Sequence, residues 1–176
     1  MDGELFTLSH PRFSEASEVW LTDVYRPRYP GLTPHFTLLF GQSAIGLSAY
    51  SAHVRAVARS CASFDFECRK VAPAADLFGP EGHVFLVPDR GEAEVAALHG
   101  ALYGGVMAPF LREDVAFTPH ITLMTLRDLS LATECCDRIG SAPIRVQGSV
   151  DTVSIVLKQG DVVEILETIE LRSKAA

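Results

Sequence analysis

At 176 residues, with 48% hydrophobic and 21% charged residues, the chain is long enough for one compact domain with a substantial core, and its charge content gives no sign of disorder. A formal net charge of −7 at pH 7 argues against binding to long nucleic acid, which rests on clustered lysines and arginines, and favours a small ligand. The start, Met1-Asp2-Gly3-Glu4, is unlike a secretory signal, no apolar run approaches a membrane span, and Cys61, Cys68, Cys135 and Cys136 lack C-x-x-C or zinc-type spacing; a reduced, cytoplasmic setting is expected.

In chain order, Leu5 to Ser9 is a short strand candidate ended by His10-Pro11. Ser14 suits the N-cap of a helix running to about Tyr25, with Ala16, Val19, Trp20 and Val24 on its inner side. The linker from Arg26 to Gly31 contains Arg28 and Tyr29 and leads into a strand over residues 34 to 40. A helix through Tyr50, Val54, Val57, Ala58 and Cys61 follows, with Arg55 and Arg59 on its wet side, and then the cleanly alternating strand Phe64 to Arg69. Residues 72–82 hold two prolines and two glycines and are expected as a loop between two halves of a single domain spanning 1–176. The second half repeats the order. A strand from His83 to Val87 precedes a helix from Glu92 to Tyr103, with Val95, Leu98 and Leu102 inward, and a long connection leads to a strand ending near Leu126. A short helix over Ser130 to Ile139 and two strands, about 143–157 and 162–171, complete the chain, the strands joined by a hairpin at Lys158-Gln159-Gly160-Asp161.

The segment that organises this order occurs twice: Thr33-Pro34-His35-Phe36-Thr37-Leu38 and Thr118-Pro119-His120-Ile121-Thr122-Leu123. Alternate side chains of a strand share a face, so His35 and Thr37 point one way, as do His120 and Thr122, while Phe36 and Ile121 point toward the core. On an unbroken strand Leu39 and Met124 join the histidine faces and help dry the cleft. Two imidazoles near their ordinary pKa of ~6.5 can divide base and acid work. Threonine hydroxyls two residues along can donate to the oxygens of a tetrahedral anion. Phosphodiester cleavage needs this set.

The paired H-Φ-T-Φ segments resemble those of the two-histidine (2H) phosphoesterase superfamily, in its branch of bacterial 2′-5′ RNA ligase-like proteins and cyclic nucleotide phosphodiesterases. The match is specific at His35, Thr37, His120 and Thr122, and extends loosely from about Leu5 to Leu171. The resemblance implies an α+β, two-lobed, pseudo-twofold fold in which two antiparallel sheets face a central cleft with helices outside. It also implies metal-independent action, without a cofactor, on 2′,3′-cyclic or 2′-5′-linked phosphodiesters of a small nucleotide or short RNA end, with His120 as base and His35 as acid. The near-symmetry of the motifs themselves leaves those two roles interchangeable. One departure is Thr125, where RNA ligase-like members often carry an arginine; it argues against a long RNA substrate. Arg28 and Tyr29 are candidate substrate-lining residues.

Two rivals remain. One is a non-catalytic module that binds nucleotides or RNA ends in the same cleft. The other is a metallohydrolase, for which His35 and His120 have no third ligand at a convincing spacing. The remaining histidines, His10, His53, His83 and His99, show no partners at useful spacing, and of these His83, at a strand start, is the one worth keeping in view.

Overall fold

A computed structural model describes residues 3–174, so Met1 and Asp2 of the acidic start lie outside the described residues. The elements run β1 (Glu4–Ser9), β2 (Arg12–Phe13), α1 (Glu15–Val24), β3 (Phe36–Gln42), α2 (Leu47–Ser60), β4 (Phe64–Ala75) and β5 (Gly82–Arg90). They continue with α3 (Glu92–Leu102), a 3₁₀ helix (Gly105–Phe110), β6 (Ile121–Leu126), α4 (Leu129–Gly140), β7 (Val146–Val150), β8 (Thr152–Gln159) and β9 (Val162–Glu170). Capping places two of the helix starts: the Ser14 hydroxyl accepts from the Ser17 amide, and the Asp128 carboxylate accepts from the Leu131 amide at 2.9 Å. Gly160, at φ 59°, makes the two-residue turn between β8 and β9, a backbone region that favours glycine.

The fold is α+β, and its strands form one nine-stranded antiparallel sheet in the order β2-β7-β4-β5-β6-β3-β1-β8-β9. Two separate sheets are therefore not what the pairing forms; the halves are continuous through β6 and β3, where Phe36 pairs with Ile121. The sheet is strongly curled. β7 and β8 stand six strand spacings apart, which on a flat sheet is about 29 Å. Only Asp151 joins them, and a one-residue link reaches no more than about 7.6 Å between flanking Cα atoms. The expected strand over 143–157 is thus two strands, one in each half.

The helices pack against the face that carries Phe36 and Ile121. Tyr50 and Val54 of α2, Val95 and Leu98 of α3, and Ala132 and Cys136 of α4 share one buried cluster with those residues. The opposite face is the one these three helices leave free. Two sequence expectations shift in detail. The inner side of α1 is Ser17 and Leu21 rather than Ala16 and Val19, because the Ser17 hydroxyl accepts from the Gln147 amide at 2.8 Å and is buried as a satisfied polar group; Val19 is exposed. β4 continues through Pro73 to Ala75, so the loop is confined to 76–81. Beyond Cys68 the strand has, among the described residues, β5 alone as its neighbour, and a residue without an N–H is tolerated there.

Candidate active site

The site grows from the centre of the sheet. Phe36 and Ile121 are opposite each other and fully buried, which turns their neighbours to the helix-free face. Continuing the antiparallel register by one residue in each direction sets His35 across from Thr122 and Thr37 across from His120. The two histidines then lie on a diagonal, for which the residue spacing is about 7–8 Å and the Cβ atoms are somewhat closer, room for a small anion between rings. The structure brings the four residues of the repeated motif together on one face.

Both rings are fixed by the same local device. Nδ1 of His35 donates to the Thr33 carbonyl at 2.8 Å, and Nδ1 of His120 donates to the Thr118 carbonyl at 2.7 Å. A carbonyl only accepts, so Nδ1 carries the proton in each neutral ring and Nε2 is left to take or give one. Burial pushes the His35 pKa below its ordinary value, against the opposing pull of the Thr33 carbonyl. Burial likewise lowers His120, to about 4, opposed by the Thr118 carbonyl and assisted by the charges of His83 and His35. The two rings are close enough for one to oppose charge on the other. An anion between them acts in the opposite sense, since opposite charge favours the imidazolium.

Sequence spacing missed the flanks of this pair. His10 follows β1 and lies beside His35, ring centroids 5.7 Å apart, with its pKa lowered to about 4 by burial and by His35. On the other side Phe85 stacks on His120 at 3.6 Å and 15°, and His83 lies parallel to Phe85 at 5.7 Å and 6°. His83 is held at both nitrogens: Nε2 to the Asp76 carboxylate at 3.0 Å and Nδ1 to the Thr125 hydroxyl at 3.0 Å. The signal in sequence was the alternation of His83 and Phe85 on one face of β5; their partners come from a hairpin loop and from β6. Among the described residues no group of three His, Cys, Asp or Glu side chains is arranged to hold a metal ion.

The lining residues are placed less as expected. Leu39 and Met124 do not share the histidine faces, because both motif strands carry a β-bulge. The β1 register steps from Leu8–Thr37 to Thr7–Leu39, skipping Leu38, and the β5 register steps from Phe85–Thr122 to Val84–Met124, skipping Leu123. Each slip reverses the alternation, so Leu39 faces the core and is fully buried, and Met124 pairs with buried Val84. The same slip turns Thr125 to His83. Arg28 pairs with Glu81 at 2.9 Å, linking the loop before β3 to the loop before β5. Tyr29 has two cations over its ring, Arg28 at 5.9 Å and Lys158 at 5.6 Å from the ring centre. Two hollows lie away from this pair, one of about 390 Å³ beside Arg12, Arg90 and Gly148 and one of about 220 Å³ beside Gln42 and Leu47.

A curled antiparallel sheet with two adjoining His-x-Thr strands on its helix-free face is the arrangement of a two-histidine phosphoesterase. Residues 9–162 match the 2'-5' RNA ligase superfamily, and the chain belongs to that family. Among solved structures it is similar to one described as a phosphoesterase, with a TM-score of 0.61 and 17% identity over 98% of this chain and 99% of that one. It is also similar to LigT of E. coli complexed with phosphate, with a TM-score of 0.59 and 19% identity over 98% and 99% of the two chains. Usb1 of Kluyveromyces marxianus gives a TM-score of 0.60 and 10% identity over 96% and 98%. No curated protein sequence matches the chain.

Proposed function

We propose that this protein is a metal-independent phosphodiesterase that opens 2′,3′-cyclic, or cleaves 2′-5′-linked, phosphodiesters of nucleotides or short RNA ends. The observation that carries the reading is the pair of imidazoles, each with Nδ1–H tied to the carbonyl two residues upstream and each beside a threonine on the same face. Nε2 of His120, kept neutral by its surroundings, takes a proton from water as the water oxygen bonds to phosphorus. The bond from phosphorus to one ribose oxygen breaks, and Nε2–H of His35 protonates that oxygen. Thr37 and Thr122 donate to the non-bridging oxygens, and the site returns to rest when a proton passes from His120 to solvent and His35 regains one. Support for a nucleotide-sized ligand comes from neighbours: E. coli LigT has been solved with phosphate and with 3'-AMP, and K. marxianus Usb1 with uridine monophosphate.

The bulges at Leu38 and Leu123 fall at the same place in each motif, which supports reading the halves as copies related by a pseudo-twofold through Phe36–Ile121. Four free cysteines fit a reducing, cytoplasmic setting, and among the described residues no helix is long and apolar enough to cross a membrane.

The test is turnover of a panel of 2′,3′-cyclic nucleotides and 2′-5′ dinucleotides, with and without chelator. Expected are a bell-shaped pH profile, indifference to the chelator, and a loss of about 10²–10⁴ in rate in H35A and in H120A. Tight binding without product, measured by calorimetry, makes the protein a binding module; activity that survives both substitutions removes the mechanism.

A further inference from the structure

His35 and His120 are held alike at Nδ1 but differently at the ring face. A single hydrogen bond from Nδ1 restrains one edge of an imidazole and leaves the ring able to tilt about that edge. For His120 the tilt is blocked, because Phe85 lies against it at 3.6 Å with the planes only 15° apart. Phe85 is itself continued by the parallel ring of His83, and His83 cannot rotate without breaking its bonds to Asp76 and Thr125. Asp76 is in turn fixed, its other oxygen accepting from the Phe78 amide at 2.7 Å. Among the described residues His35 has no such support. Its ring neighbour is His10, tilted by 53° at 5.7 Å, and among the described residues His10 makes no side-chain hydrogen bond. Phe85 is also only partly buried, so filling the core does not account for it.

We propose that Phe85, His83 and Asp76 are positioning residues for His120: a column of parallel rings, anchored on a carboxylate, that sets the plane of one of the two imidazoles and not of the other. The proposal rests on the phosphodiesterase reading for its catalytic consequence. The column breaks the near-symmetry of the two motifs, since His120 is rigid while His35 is free to adjust. It also gives Thr125 a purpose, as the hydroxyl that closes the His83 clamp. Whether His83 is neutral or charged, the clamp holds. Neutral, it donates from Nε2 to Asp76 and accepts the Thr125 hydroxyl at Nδ1; protonated, it donates at both.

The experiment compares F85L, which removes the flat ring, with F85Y, which retains it, and adds D76N, two steps away from His120. Turnover of a 2′,3′-cyclic nucleotide is read as kcat and KM separately, and the ring nitrogens of His120 are followed by NMR across pH. Expected in F85L is a kcat lower by about 10- to 100-fold, the scale of a catalytic group misplaced by about 1 Å, with KM little changed. Its His120 no longer keeps the Nδ1–H tautomer as its sole neutral form, and its titration midpoint moves. F85Y restores both readouts, and D76N shifts them in the same direction by less. An F85L protein with wild-type kcat and an unchanged His120 tautomer and midpoint overturns the proposal. If the wild-type protein turns over no phosphodiester, the phosphodiesterase reading fails, and the NMR arm alone decides on the column. A tautomer preference lost in F85L and kept in F85Y upholds it, and one kept in both sinks it.

Discussion

Phe36 faces Ile121 across the centre of the sheet, and that one buried pair sets each histidine across from the threonine of the other motif. In the proposed reaction, a phosphoryl group held between His35 and His120 would be flanked by Thr37 beside one ring and Thr122 beside the other. Removing either hydroxyl while keeping the shape, as T37V or T122V, is expected to cost about 2.7–4 kcal/mol of transition-state stabilisation, read as a 10²–10³ fall in kcat. Both side chains are only partly buried, so thermal stability should scarcely move. The symmetric placement predicts losses of similar size. Wild-type turnover in both variants would remove the hydroxyls from the mechanism.

Acid should act on stability and on anion binding with opposite signs. His10 and His120 titrate near 4 in the folded chain, mainly through burial, against an ordinary value of 6.5. Between those values the unfolded chain holds more protons. The stability contributed by these neutral rings is thus whole above pH 6.5 and is lost as pH falls toward 4. A bound anion favours the imidazolium and raises the ring pKa, so affinity for inorganic phosphate should rise over the same window with net proton uptake. Calorimetry in two buffers of different ionisation enthalpy reads that uptake directly. Proton release on binding would contradict the placement of the anion between the rings.

The histidine and threonine positions were legible because a strand's period of two fixes which residues share a face, and the repeated flanks marked the strand entries. What lay beyond Leu38 and Leu123 was not. The slip that buries Leu39 and turns Met124 away is set by how β3 meets β1 and how β6 meets β5, and no residue in either motif signals it. The partners of His83 were hidden for a related reason, since Asp76 reaches it across the β4–β5 hairpin and Thr125 only through the bulge. Between β7 and β8 the crossing from one half to the other is made by Asp151, without the glycine or proline that would have marked a boundary. Ser17 escaped because a hydrophobic pattern does not see a hydroxyl buried by its own hydrogen bond.

Tyr50 couples a helix to the strand that carries the first motif's neighbour. Its hydroxyl and that of Thr7 are 2.8 Å apart, and both residues are fully buried. Burial raises the Tyr50 pKa, so the phenol stays protonated throughout the working range. Y50F leaves the Thr7 hydroxyl without a partner and should destabilise the fold by about 1–3 kcal/mol in denaturant unfolding. T7V leaves the Tyr50 hydroxyl stranded and should cost a similar amount. The double variant removes both polar groups and is expected to recover much of the loss, whereas simple additivity would mean the pair contributes nothing as a pair.

Arg28 reaches from the loop before β3 to Glu81, which stands two residues before His83, so an ion pair ties the approach to one histidine to the flank of the other. Both side chains are substantially exposed, and an exposed pair contributes little to stability, so neither R28A nor E81Q should shift the melting temperature by much. Their effects on ligand should differ in sign. E81Q removes a negative charge from the rim and releases a guanidinium that is otherwise neutralised, which should tighten binding of inorganic phosphate or a cyclic nucleotide. R28A leaves Glu81 without its partner and should weaken it. Both effects should shrink as salt is raised, because the charges are near the surface and are screened. Equal affinities in wild type, R28A and E81Q at low salt would place Arg28 outside the ligand's field and leave Tyr29, whose ring also lies near Lys158, as the remaining candidate on that loop.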